Sequence, residues 1–204
     1  MTLSRRAAAI LATGVLLELS ACSSFHSSEP AMQIYTLDPA FNIPKPDSPG
    51  SAGSVQVLRP SAAPGLDTDR IALRRSGQRL DYYAASRWPA PLPEFIQSLA
   101  MDALRAAGKF RAVQPDHASF VADSSLQVEI LRCQAEYAGD GPPVVHVQLL
   151  ATFGPRADRT AVAALNVESS VPARENRMQA VVAAFQGAVS AALSDLAQRV
   201  PPPP

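Results

Sequence analysis

An excess of charge of either sign is missing from this chain: 18 Lys plus Arg stand against 18 Asp plus Glu in 204 residues. The balance gives no overall signal for nucleic acid or for anionic lipid. Cysteine is scarce. Cys22 and Cys133 are the only two, so a single intramolecular bridge is the most the chain could form. Glycine is thin and scattered, ten residues with no G-x-G-x-x-G among them, which removes the glycine-rich phosphate loop. The three histidines, His26, His117 and His146, never fall at a ligand spacing such as H-x-x-x-H, so no metal is expected. There is no G-x-S-x-G elbow and no nucleophile signature around Cys133, and no nucleophile–base pair stands out. Catalytic, cofactor and metal residues are therefore all expected to be none.

What is present begins at the N-terminus. Arg5 and Arg6 form a basic start, Ala7 to Leu19 an apolar stretch, and Leu19-Ser20-Ala21-Cys22 ends it on small residues and a thiol. This is the layout of an export signal. The apolar stretch falls well short of the ~20 residues that span a bilayer. The tetrapeptide resembles the lipobox of bacterial lipoproteins, which implies cleavage between Ala21 and Cys22 and acylation of Cys22. Several acyl chains anchor a protein firmly where one holds marginally. Ser23, in place of an aspartate after the cysteine, favours the outer membrane over the inner one. Residues 1–21 are then signal, 22–31 lipidated terminus and tether, 32–200 one domain and 201–204 a proline tail. With Cys22 taken by lipid, Cys133 reads as a buried, inert thiol, an intermolecular bridge being the alternative.

Periodicity organises the domain. Met32 to Leu37 reads as a strand closed by Asp38-Pro39, followed by a Pro/Ser/Gly loop from about 39 to 53. Val55 and Val57 mark a second strand. Arg70–Arg75 and Arg79–Ala84, joined across Ser76-Gly77, read as a hairpin. Leu92, Phe95, Ile96, Leu99, Ala103 and Ala106 fall at helical spacing between Pro93 and Gly108. Phe110 to Val113 suggests a short strand. Leu126, Val128 and Ile130 alternate until the phase slips at Leu131, which predicts a bulge. Val145 to Phe153 and Ala163 to Val167 complete a meander, and Met178 to Leu196 carries a long apolar stripe. The order predicts an α+β domain, a mostly antiparallel or mixed sheet with two main helices on one face.

Three clusters invite a functional reading. Asp67 and Asp69 are conceivable as a carboxylate pair, although loop acids of this kind more often form turns. Arg70, Arg74, Arg75 and Arg79 lie beside Tyr82 and Tyr83. They form either a solvated hairpin or a basic surface for an acidic partner. Trp88 stands before Pro89-Ala90-Pro91-Leu92, as a core plug at the strand-to-helix junction or as an exposed interface anchor. Tyr83, Trp88, Arg74 and Arg75 are the candidate partner contacts.

Tyr35-Thr36-Leu37-Asp38-Pro39 after the lipobox, and Tyr83 to Leu92 leading into the first helix, together resemble the ABC-type transport auxiliary lipoproteins, the PqiC/YmbA group. Pro89-Ala90-Pro91 departs from the family's small-then-acidic pair before the proline. The resemblance implies a non-catalytic subunit on the periplasmic face of the outer membrane. It would work with a permease, an ATPase and an MCE-type periplasmic protein in moving lipids or organic solvents. The alternatives are a periplasmic lipid carrier holding acyl chains between sheet and helices, a structural envelope lipoprotein, or a hydrolase. Self-association through apolar edge strands is a further reading, and no nucleic acid is implied.

Overall fold

The computed structural model describes residues 31–44, 53–75, 79–157 and 160–202. The signal, Ala21, Cys22 and the Ser76-Gly77 turn lie outside them. Met32–Pro204 is one compact unit, and its apolar core runs from Leu37 to Val200. The portion from Met32 onward therefore carries its own core.

Among the described residues nine strands and two helices build it: β1 Gln33–Ile34, β2 Ser54–Val57, β3 Ser61–Ala62, β4 Arg70–Arg74, β5 Leu80–Arg87, α1 Leu92–Ala107, β6 Ala112–Pro115, β7 Ser124–Glu136, β8 Val144–Pro155, β9 Ala163–Pro172 and α2 Met178–Arg199. The sheet is mixed and open. Its long ladders, β7 with β8 and β8 with β9, are antiparallel, as is the β4–β5 hairpin. Along its other edge β7 takes β2, β3 and β4 in turn, all parallel. The strand can do this because it is long and bends once. Its pairing with β8 shifts between Ile130 and Arg132, so the bulge falls at Leu131. Leu126, Val128 and Ile130 are buried before it, Cys133 and Ala135 after it.

Alternation leaves one face of β7 and β8 apolar, and the helices cover that face. Phe153, Phe185, Leu149, Leu193 and Leu196 are among the fully buried side chains that fill the space between. By length and composition α2 could cross a bilayer; here it packs on β8, β9 and α1. Gly108 closes α1 at φ 65°, its N–H donating to the Arg105 carbonyl. The start of α1 has no capping side chain. Instead the Leu92 N–H donates to the Thr68 carbonyl at 2.9 Å. At the far end Lys109 Nζ donates to the carbonyls of Gln198 and Val200, closing α2 with a cation.

Two expectations need correction. Met32 to Leu37 is not a full strand: only Gln33 and Ile34 pair, parallel to β5. Past Pro39 the chain becomes a strap along α2. The Asp38 N–H donates to Gln186 Oε1, and the carbonyls of Ala40 and Asn42 accept from Ser190 and Gln198. A proline has no N–H to continue a ladder, so helix side chains take over the pairing. The strand expected from Phe110 starts later, at Ala112, because Phe110 turns into the core against Phe153.

Candidate partner interface

The β4–β5 hairpin is irregular in a way that shapes its surface. Arg70 pairs with Arg87, yet Ala72 pairs with Tyr82. Tyr83 to Ser86 therefore bulge out of the ladder, and Ala85 is forced to φ 49°. A surface cavity of ≈ 350 Å³ opens beside the bulge, lined by Met32, Arg70, Tyr83 and Arg87 among others.

The bulge aims Tyr83 across the sheet. Its Oη lies 2.9 Å from Tyr137 Oη, and Tyr137 donates to Asn176 Oδ1 at 3.0 Å. With the Tyr137 proton committed to Asn176, Tyr83 is the donor of the first bond. Burial and the bond to Tyr137 push the Tyr83 hydroxyl far above its ordinary value, so it stays a neutral donor. The Arg75 guanidinium stands 5.0 Å over the Tyr137 ring, and Arg70 stands 3.9 Å over Tyr82. Among the described residues no carboxylate reaches ion-pair distance of Arg70 or Arg75. Arg74 is different: Glu136 lies 3.9 Å away. Arg79 and Asp81 sit 3.6 Å apart, mostly in solvent.

Tyr83 and Arg75 meet at Tyr137, Arg74 points from the other face of β4 to Glu136, and all three reach solvent. Trp88 does not. It is 2% exposed, edge-on to Phe185 at 5.2 Å and tilted against Phe95 at 5.7 Å. The interface-anchor reading of Trp88 is therefore corrected: it is the plug that seats both helices at the end of β5. Tyr137 and Asn176, which complete the polar chain, were not singled out in the sequence. They arrive from the ends of β7 and β9, far away along the chain.

The other candidates resolve as follows. Asp67 pairs with Arg59 at 2.8 Å and Asp69 with Arg87 at 3.0 Å, so neither is a free acid of a dyad. Cys133 is buried and its thiol is pushed up to about 12 by desolvation, which makes it a poor nucleophile. The expectation of no nucleophile–base pair also needs correction. His146 and Ser170 are register partners on β8 and β9, with Ser170 Oγ 2.8 Å from Nδ1 and Glu136 4.0 Å from Nε2. The pair lies on the open face of the sheet with Ser170 exposed, outside the ≈ 370 Å³ groove on that face. Acyl transfer needs a water-excluding site with oriented donors. A cross-strand polar pair satisfies the geometry without one. Among the described residues no three His, Cys, Asp or Glu side chains gather to hold a metal.

Comparison with known proteins agrees with this architecture. Protein XCC0632 from Xanthomonas campestris, of the DUF330 family, superposes with a TM-score of 0.73 at 26% identity, over 81% of this chain and 93% of that one. An uncharacterized protein of known structure shares the fold at 11% identity, with a TM-score of 0.63 over 84% of this chain and all of the other. No curated protein matches the sequence. Residues 35–197 match the family described as ABC-type transport auxiliary lipoprotein component, and the chain belongs to that family.

Proposed function

We propose that this protein is a non-catalytic docking subunit of an MCE/ABC-type system that moves lipids or organic solvents. In this reading it is held by acylated Cys22 on the periplasmic face of the outer membrane, and Tyr83, Arg74 and Arg75 meet the MCE-type periplasmic partner. Family membership supports the transport and envelope assignment. Ser23 after the lipidated cysteine supports the outer membrane. The observation that carries the docking surface is the Arg75 guanidinium stacked on Tyr137 beside Tyr83, with no described carboxylate opposite it. Stacking holds its rotamer, so less freedom is lost when an acidic surface binds. The lipid-carrier reading is weaker, because the space between sheet and helices is filled by buried side chains.

The test is a photocrosslinking residue placed at Tyr83 or Arg75 in cells, with Trp88 as the buried control. The MCE-type partner should be captured from the first two positions and not from the third. Capture from none of them, with the protein still present in membranes, would refute the docking surface.

A further inference from the structure

The end of the sheet where β7 begins combines features that the docking surface does not use. Phe120 and Val121, on the loop before β7, are 80% and 85% exposed, and Val162, just before β9, is 57% exposed. Side chains this bare, on the two loops at the end of the sheet where β7 begins, call for a covering. The two loops are joined: the Arg156 N–H donates to the Asp123 carbonyl at 3.0 Å. Between them and the open face of the sheet runs a groove of ≈ 370 Å³, walled by Ser125, Gln127, Thr152 and Arg156. Gly154 permits the wall. A Cβ there would stand 2.2 Å from the Thr160 carbonyl oxygen, so only glycine lets the chain after β8 fold back over the strand. Among the described residues no carboxylate pairs with the Arg156 guanidinium, and Ser125, Gln127 and Thr152 make no side-chain hydrogen bonds.

The geometry points to a contact with the surface of a bilayer that holds anionic phospholipid. Phe120, Val121 and Val162 enter the acyl boundary, while Arg156 and the hydroxyl and amide groups of the groove take a phosphate-bearing headgroup. Area favours lipid over protein as the occupant. Three such side chains offer on the order of 400 Å², about half of what each partner buries in a standard protein interface. That area suits shallow insertion, where apolar burial and one cation add. A member of an envelope lipoprotein family also works beside a membrane. The site does not depend on the acyl anchor, and it lies away from Tyr83 and Arg75.

The experiment is vesicle co-sedimentation of the portion from Met32 onward, which carries its own core and no acyl chain. It should pellet with mixed phosphatidylcholine and phosphatidylglycerol vesicles, and more weakly with phosphatidylcholine alone. Arg156→Gln should lower partition about fivefold on the mixed vesicles only. Phe120→Ser with Val121→Ser should lower it at least about tenfold on both. Phe120→Trp should show blue-shifted emission on binding, against the constant signal of buried Trp88. All three positions are exposed, so unchanged circular dichroism is expected throughout. A wild-type domain that stays in the supernatant with both vesicles overturns the proposal. So does binding that the Phe120 and Val121 substitutions leave intact, including the case where free glycerol phosphate binds as well as the vesicles do.

Discussion

Single residues decide most of the surface and core chemistry here. Trp88 fills the junction of β5, α1 and α2, so Trp88→Ala should cost about 3–5 kcal/mol in urea unfolding. Tyr83→Ala should cost far less and act on partner binding instead. Equal stability losses for the two would contradict their assignment to core and surface. Ala85 sits at φ 49°, where a side chain is strained and glycine is not. Ala85→Gly should therefore leave stability unchanged or raise it by up to about 1 kcal/mol. Ala85→Val should lower it, and a thermal melt of the two variants separates the outcomes. The strain is tolerated because the bulge turns Tyr83 toward Tyr137.

Elements are joined by a few polar clamps. Asp123, at the start of β7, accepts from the Ser54 N–H at 2.7 Å and from Ser54 Oγ at 2.8 Å. These bonds, with Arg111 nearby, hold its carboxyl below the usual carboxylate value. A depressed carboxylate contributes stability above its unfolded value, near pH 4, and that contribution is lost as pH falls through the lower folded value. Asp123→Ala should then shift the urea midpoint at pH 7 and progressively less toward pH 2. A gap that does not change with pH would refute the clamp. Gly154 is the second such joint. Gly154→Ala drives a Cβ against the Thr160 carbonyl, and backbone must move to relieve it. The variant should lose stability by at least about 1 kcal/mol in urea unfolding and should open the groove beside Arg156.

On the scale of the whole molecule, the sheet presents two separate surfaces. The hairpin end carries stacked cations and tyrosines; the opposite end of β7 carries bare apolar side chains and a polar groove. An anchored protein can use both at once, one for a partner and one for a bilayer. Cys22→Ala should abolish acylation and release the full-length protein into the soluble periplasmic fraction, as read by fractionation and intact mass. Retention in washed membranes with no acyl mass would mean that some other element anchors it.

The helices were legible because Leu92 to Ala106 and Met178 to Leu196 keep a 3.6-residue apolar period over several turns. The β7 bulge was legible for the same kind of reason, a phase slip at Leu131 in an otherwise regular alternation. Family and α+β class followed from short motifs and element order. The two-residue strand β3 left no periodic trace, β1 was overread as a strand from Met32 to Leu37, and the loop after Pro39 carried no local sign that Gln186, Ser190 and Gln198 of α2 would hold it as a strap. The fate of Trp88 was undecidable from its neighbours in the chain. A tryptophan beside prolines serves core or interface equally well, until Phe95 and Phe185 close over it. The Tyr83–Tyr137–Asn176 chain, the His146–Ser170 pair and the Arg156 groove each join residues from segments far apart in the chain. Local pattern sets periodicity and chain reversal, but only tertiary packing sets which distant polar groups meet, because that depends on register across the sheet.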